Sequence, residues 1–167
     1  TPECAVSVIR RLCTMQPVNL SEFGIRYESD FLEVGAGSAA LTEECKKLKL
    51  RVLPPVDKSL GFDLTDLRVM RYVKKLITER RPLHTHIAPC CRIFSIAYHG
   101  PYDMNNEHYK ASMDFAVACA ELATHIINLG LFVSIENPLA SWLYRLTAYV
   151  RLHSATGFFY LRTEGCA

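Results

Sequence analysis

Nowhere in the chain does an apolar run reach the roughly 18–20 residues that a membrane-crossing helix needs, so no membrane partner is expected. Arg10 and Arg11 interrupt the first apolar stretch, which removes a secretory leader pattern. Charge of one sign is scarce: 19 Lys and Arg against 17 Asp and Glu leave a formal net charge of +2. That is too small to argue for a nucleic-acid partner by itself. The two basic clusters, Lys46-Lys47-Leu48-Lys49 and Arg80-Arg81, read first as solvated helix ends. None of the seven cysteines (Cys4, Cys13, Cys45, Cys90, Cys91, Cys119, Cys166) stands in a CxxC pair, and their number is odd. A reduced, intracellular protein fits that usage better than a disulfide scaffold. Repeats, low-complexity stretches and linkers are lacking as well. What remains is a chain of 167 residues, 50% hydrophobic and 22% charged. That suits one ordinary globular domain over residues 1–167, with 1–30 as an N-terminal extension of uncertain role. The chain opens on Thr1 without a Met and closes at Cys166-Ala167 directly after an apolar stretch, so a piece of a longer protein is expected.

Strand-like and helix-like segments alternate along the chain. Phe31-Leu32-Glu33-Val34 is a short β-leaning run ending at Gly35-Ala36-Gly37. Ser38 is placed to cap a helix whose apolar residues Leu41, Cys45 and Leu48 recur at helical spacing. Leu50 to Leu53 with Val56 reads as a second strand, kinked at its end by Pro54-Pro55. Thr65 is placed to cap a helix from Asp66 to about Arg80, and His84 to Ala88 is a third strand. Pro89 to Asn106 is a long loop, a length more often functional than idle. Glu107 to Leu129 is the best helix, with the stripe Tyr109, Met113, Ala116, Ala120, Ala123, Ile127 and a terminating Gly130. Leu131 to Ile135 reads as a buried strand, a short helix follows around Trp142-Leu143, and Val150 and Phe158 to Leu161 suggest further strand.

This alternation predicts an α/β fold, a mostly parallel sheet with helices on both faces. The strand ending at Glu33-Val34 should be central, between strands near Val52 and Ile87, with Ile135 beyond the latter. Ligands of such sheets bind at the carboxyl ends of the strands, so the residues just past each strand carry the functional reading. Gly35-Ala36-Gly37 makes a strand-to-helix turn where the backbone can approach a ligand and free N–H groups point at it; a purely structural turn is the alternative. Asp57 stands 20 residues past Gly37, where an acidic residue can bond ribose hydroxyls, and Asp63 is placed to reach an adenine edge. Either aspartate can also be an ordinary cap or turn residue. Pro89-Cys90-Cys91-Arg92 puts two thiols in a loop, with Arg92 near enough to favour a thiolate; half-buried structural cysteines are the alternative. His84 and His86 share one strand face, but with the cysteines they match no standard zinc spacing, and no metal is expected. Glu136-Asn137-Pro138 closes an apolar strand, and a carboxylate there is better explained by a ligand; a helix-capping Asn137 with a solvent-facing Glu136 is the alternative.

Together these residues resemble the catalytic half of the S-adenosylmethionine (SAM)-dependent cytosine-C5 DNA methyltransferases. Phe31 to Ser38 resembles their first SAM motif, Ala88 to Ser95 their Pro-Pro-Cys-Gln-x-Phe-Ser loop, and Glu136-Asn137-Pro138 their Glu-Asn-Val motif. The chain is also similar to DNA methylase-like proteins of protist genomes and mobile elements that carry "Ala-Pro-Pro-Cys…Phe-Ser…Glu-Asn-Pro". The resemblance covers roughly residues 31–140. It departs where Gly35 replaces the family's Phe, Cys90 its second Pro, Arg92 its Gln and Pro138 its Val. The family's later arginine motif, target-recognition region and closing helix have no counterpart in these 167 residues.

The resemblance implies a Rossmann-like methyltransferase fold, SAM as cofactor, DNA as partner and an intracellular location, the nucleus in a eukaryote. It assigns SAM contacts to Glu33, Gly35, Ala36, Gly37, Ser38, Asp57, Asp63 and Pro89. Cys91 is then the nucleophile that adds to cytosine C6, Glu136 the partner of the N3 edge, and Arg92, Ser95 and Asn137 contact the substrate. Phe94-Ser95 keeps the register that selects Cys91 over Cys90, and the nucleophile is expected to be the less buried of the two. Two other classes stay open: a SAM-dependent methyltransferase acting on an amine or small molecule, and a non-catalytic relic of a mobile element.

Overall fold

The computed structural model describes residues 26–95, 98, 100, 102–138 and 140–156. Its centre is a three-stranded, all-parallel sheet in the order β1 (Ser29–Val34), β2 (Pro82–Ile87), β3 (Phe132–Ile135). Helix α1 (Ala40–Lys47) follows β1, α2 (Leu67–Arg80) precedes β2, α3 (Glu107–Asn128) joins β2 to β3, and α4 (Thr147–Thr156) follows β3. Short 3-10 turns lie at Lys58–Leu60, Arg92–Phe94 and Trp142–Arg145. On the outer side of β1, Val52 bridges Phe31 and Val56 bridges Val34, both parallel. The lateral order is therefore the expected one, with β1 between the Val52 segment and β2.

That outer segment is not the continuous strand the sequence suggested. Leu53 and Val56 donate to the carbonyls of Phe31 and Glu33 at 2.9 Å each. Between them Pro54 and Pro55 have no N–H to give, and the ladder reduces to two isolated bridges. Two caps also differ. Ala39, in the left-handed region at φ 54, precedes α1 without a side-chain cap, so Ser38 does not serve as one. Asp66, not Thr65, caps α2 by accepting from the Arg68 N–H. Val150 lies inside α4 rather than in a strand, and Phe158 to Leu161 falls outside the described residues.

Side-chain alternation along the strands decides which face each helix covers. Leu32, Val34 and Ile87 point to one face and are fully buried against Met70, Val73 and Ile77 of α2 and Cys119, Leu122 and Ile126 of α3. Phe31 points to the other and packs with Leu41 and Cys45 of α1. Leu48, expected on that stripe, is exposed. The α3 stripe buries Tyr109, Ala116, Ala120 and Ala123, while Met113 and Ile127 are half-buried; Gly130 at φ 70 ends the helix. Beyond β2, β3 is less covered than an interior strand: Phe132 is 50% exposed and the other three residues are half-buried. The basic clusters are engaged locally. Lys46 and Lys47 pair with Glu43 and Glu44, and the Arg81 guanidinium donates to the carbonyls of Arg26 and Leu129. Among the described residues, no helix is long and apolar enough to cross a membrane.

The α1 side of the sheet also carries a polar cluster. Ser134 Oγ on β3 lies 2.7 Å from His84 Nε2 and 2.9 Å from His86 Nδ1, both on β2. With both rings neutral, the hydroxyl can donate to one nitrogen and accept from the other. Burial drives both imidazoles down to about 4, helped at His84 by the charge of His86. The unfolded chain, with histidines near 6.5, therefore binds these protons first. Stability should be full above about pH 6.5 and fall as pH drops toward 4, at up to about 1.4 kcal/mol per pH unit for each ring. Asp57 and Asp63, held below the usual carboxylate value of 3.8, give up their share only at lower pH. Urea unfolding between pH 7 and 4 should show the histidine slope in the native chain and a flatter one in a His84→Gln/His86→Asn double variant. Equal slopes would move the titration elsewhere.

Candidate functional site

Register brings the strand ends to one level. Val34 pairs with Ile87, and Ile87 with Ile135, so Gly35, Ala88 and Glu136 emerge side by side at the carboxyl edge. At about 4.8 Å between neighbouring strands, the glycine turn and Glu136 are about 10 Å apart across the cysteine loop. The backbone ties this edge together: Ala88 N–H donates to Val34 O, Glu136 N–H to Ile87 O, and Gly35 N–H to Val56 O, at 2.8–2.9 Å.

Gly35 is the tightest point. At φ 70 it adopts a conformation that L side chains rarely take, and a Cβ there would sit 2.4 Å from the Ala88 carbonyl oxygen. Glycine is what lets the turn after β1 touch the head of the cysteine loop. Gly37, also at positive φ (51), has the opposite surroundings: a Cβ would meet nothing within 4 Å. Ala36 is buried, with its carbonyl accepting from Ala39 N–H, and Ser38 is exposed.

The acidic residues assigned to a cofactor are committed to the protein's own backbone. Glu33 is buried, and its Oε2 accepts from Thr42 N–H at 2.7 Å and Thr42 Oγ at 2.6 Å. Through Oε2 it anchors the first turn of α1 behind the glycine turn. Asp57 Oδ2 accepts from Gly37 N–H at 2.9 Å, and Oδ1 from Ser59 N–H and Oγ at 2.8 and 2.7 Å. Partial burial raises its carboxyl, but the bonds from Ser59 and Gly37 outweigh this and hold it low. Three of roughly four acceptor positions are used, which leaves one for a ligand hydroxyl. Asp63 pairs with Lys58 at 2.8 Å and accepts twice from Thr65, so it too has three of roughly four acceptor positions used and one left for a ligand. The Asp-x-Ser and Asp-x-Thr spacings are the signal that could have revealed both turns in the sequence. Nothing in the sequence marks Thr42.

The cysteine loop is held at several points. Asn137 Nδ2 donates to the Pro89 carbonyl at 2.9 Å, so this residue, assigned to substrate, braces the loop through its amide nitrogen. Its Oδ1 is buried without a partner among the described residues. The Cys91 carbonyl accepts from Phe94 and Ser95 N–H groups, and Trp142 Nε1 donates to the Ile93 carbonyl. Ile93 and Phe94 are fully buried, while Cys90, Cys91 and Arg92 are exposed. Burial thus does not separate the two cysteines as expected.

Cys91 and Glu136 feel each other. Partial burial of its sulfur, then the Cys90 thiol and the Glu136 carboxylate, push the Cys91 thiol upward, against a smaller downward pull from Arg92. Glu136 is exposed, and its carboxylate has no hydrogen-bond or ion-pair partner among the described residues. The arrangement joins a thiol, a carboxyl group and an open glycine turn at one sheet edge. Among the described residues, no three His, Cys, Asp or Glu side chains are grouped to hold a metal ion. Compared with protein-family models, curated proteins and solved structures, the chain finds no match.

Two outcomes follow from this geometry. Gly35→Ala should cost at least about 2 kcal/mol in urea unfolding, from positive φ plus the clash with Ala88. Gly61→Ala, at φ 88 with open space around it, should cost only about 1 kcal/mol; equal losses would mean that the close approach is not needed. In a Cys90→Ser background, Glu136→Gln should speed alkylation of Cys91 severalfold at neutral pH, because removing a negative charge raises the thiolate fraction. An unchanged or slower rate would separate the two groups.

Proposed function

We propose that this chain is a SAM-dependent methyltransferase domain that transfers a methyl group to C5 of cytosine in DNA through a thiol adduct at C6. The observation that carries this reading is that the Cys91 loop and Glu136 leave the sheet at the same carboxyl edge, beside the glycine turn, with the Glu136 charge acting on the Cys91 thiol. A Rossmann-like methyltransferase fold extends the α/β order seen here: a bridge at Val52, then β1, β2 and β3, all parallel, with ligand chemistry at the carboxyl edge.

The residues fit the cofactor in part. Open space beside Gly37 and the remaining acceptor position of Asp57 suit the ribose end. Glu33 Oε2 and three of roughly four Asp63 acceptor positions are already bonded within the chain, so each has only part of its carboxylate left for a cofactor. When bound, SAM supplies an electrophilic methyl group. The chain's own residues prepare the base that receives it. Cytosine C5 is too weakly nucleophilic unaided, so Cys91 adds as thiolate to C6 and makes C5 enamine-like. Glu136 holds the N3 edge and supports protonation there as negative charge develops. Loss of the C5 proton then expels Cys91. Arg92, exposed next to the nucleophile, favours the thiolate and lies where a phosphate can approach. The target base leaves the stack to reach this edge.

Glu136 has a second effect in this scheme. Its charge works against the thiolate while the site is empty, and sharing a proton with N3 removes that charge. Base binding then activates Cys91, which keeps the thiol quiet until a substrate arrives.

Gly35 favours a second reading, a SAM-dependent methyltransferase of another class. The cytosine family carries Phe there, and this backbone has no room for any side chain. For an amine or small-molecule substrate, Cys91 would be incidental and Cys91→Ala would keep turnover. The test is trapping on DNA containing 5-fluorocytosine. The native chain should form a SAM-dependent covalent adduct, Cys91→Ser should lose it, and Cys90→Ser should keep it. Loss only in Cys90→Ser would shift the register by one residue. SAM binding without any adduct would favour the second reading.

A further inference from the structure

The cysteine loop carries one feature that a single nucleophile does not explain. Cys90 and Cys91 are adjacent and both exposed, whereas Cys45 and Cys119, the other described cysteines, are buried. Their backbone is fixed on both sides. The Pro89 carbonyl is held by Asn137 Nδ2, and the Cys91 carbonyl by the Phe94 and Ser95 N–H groups. The buried Ile93 and Phe94 anchor the turn that follows. Thus two exposed thiols stand on adjacent residues of one turn whose backbone is held on either side.

We infer that Cys90 and Cys91 form a reversible dithiol–disulfide pair, a modification site for small-molecule disulfides such as glutathione disulfide. One thiolate attacks a sulfur of glutathione disulfide, forming a mixed disulfide and expelling one glutathione thiolate. The neighbouring thiol, losing its proton, then attacks the protein sulfur of that mixed disulfide and expels the second glutathione. Two electrons and two protons pass from the cysteine pair to the oxidant, and two reduced glutathiones leave. The product is a ring closed between neighbouring residues. Adjacent Cα atoms lie about 3.8 Å apart, while disulfides usually span about 4.4–6.8 Å. The ring is therefore strained and easily reduced, a property of labile regulatory disulfides rather than structural ones. Oxidation consumes the Cys91 thiol, and, on the methyltransferase reading proposed above, it switches off adduct formation until a thiol reductant restores it.

The test has a readout that does not depend on activity. The native chain is incubated with glutathione disulfide, unfolded, alkylated and digested without reduction. The peptide holding residues 90 and 91 should be lighter by two hydrogen atoms, carry no alkyl group and no glutathione, and remain uncrosslinked. Reductant should restore two alkylation sites. Cys90→Ser and Cys91→Ser should each keep a glutathione on the remaining cysteine, because the second step is blocked. A stable glutathione adduct in the native chain, a crosslink to Cys4, Cys13 or Cys166, or two free thiols after oxidation would each overturn the inference. Trapping on 5-fluorocytosine DNA before and after oxidation then separates the two claims. Ring closure with an unchanged adduct would overturn the switch, whereas ring closure with no adduct in either state supports the dithiol and removes the thiol mechanism.

Discussion

The contact between Gly35 and the Ala88 carbonyl is the constraint on which the candidate site rests. The register of β1, β2 and β3 brings three chain turns to one level, but level alone leaves them a strand spacing apart. With a Cβ at Gly35 only 2.4 Å from the Ala88 oxygen, any other residue would push the first turn off the second. Both turns would lose their reference: the first through the Gly35–Val56 hydrogen bond, the second through the Ala88–Val34 bond. A single missing side chain thus couples the glycine turn to the cysteine loop. It also explains why the resemblance to cytosine methyltransferases breaks at this residue. Where the family places an aromatic ring, this backbone has used the space for a closer approach of two loops.

From that edge inward, polar groups are spent on holding loops before any ligand is considered. Glu33 fixes the start of α1, Asp57 ties the Ser59 turn to Gly37, Asp63 holds Lys58 and Thr65, and Asn137 holds Pro89. Hydrogen bonds to charged groups contribute about 1.5–3 kcal/mol each, enough to keep irregular loops in one arrangement. Of these residues, Asp57 and Asp63 each brace a turn and retain one acceptor position. The recognition chemistry accordingly rests on these aspartates and the free edge at Gly37 on one side, and on Cys91 with Glu136 on the other.

Elements with strong periodicity were readable in the sequence, and those decided by a partner were not. The 22-residue α3 announces itself through its small-residue stripe and Gly130, and the parallel order follows from strand–helix alternation. Pro54-Pro55 was visible, yet whether two prolines kink a strand or dissolve it depends on which N–H groups β1 needs, a question of pairing rather than propensity. Leu48 fits the helical stripe but ends up beyond the last turn that the sheet covers. At the site, motif spacing located the right loops, but it could not tell a carboxylate that binds a ligand from one that closes an Asx turn. Asp63 and Glu33 show the difference: each sits in the expected place with part of its carboxylate already used, by Thr65 and Lys58 in one case and by Thr42 in the other. Asn137 is a further case, since its amide satisfies a carbonyl 48 residues earlier in the chain.

Electrostatics gives the loop a direction that spacing does not. An exposed thiol beside a carboxylate is at rest, because partial burial of the sulfur and the neighbouring negative charge both disfavour the thiolate. Two routes release it, a hydrogen-bonding base that takes up the Glu136 charge or a cation that joins Arg92, whereas oxidation to a disulfide takes it out of action. The first requires a substrate with a donor and acceptor edge that can reach Glu136, and oxidation requires a second exposed thiol on the adjoining residue, which Cys90 supplies. A structural cysteine pair would need neither an exposed carboxylate opposite it nor a loop pinned at Pro89, Cys91 and Ile93. Rigid backbone with reactive groups left outside is the arrangement expected when position, and not packing, is what the loop must preserve.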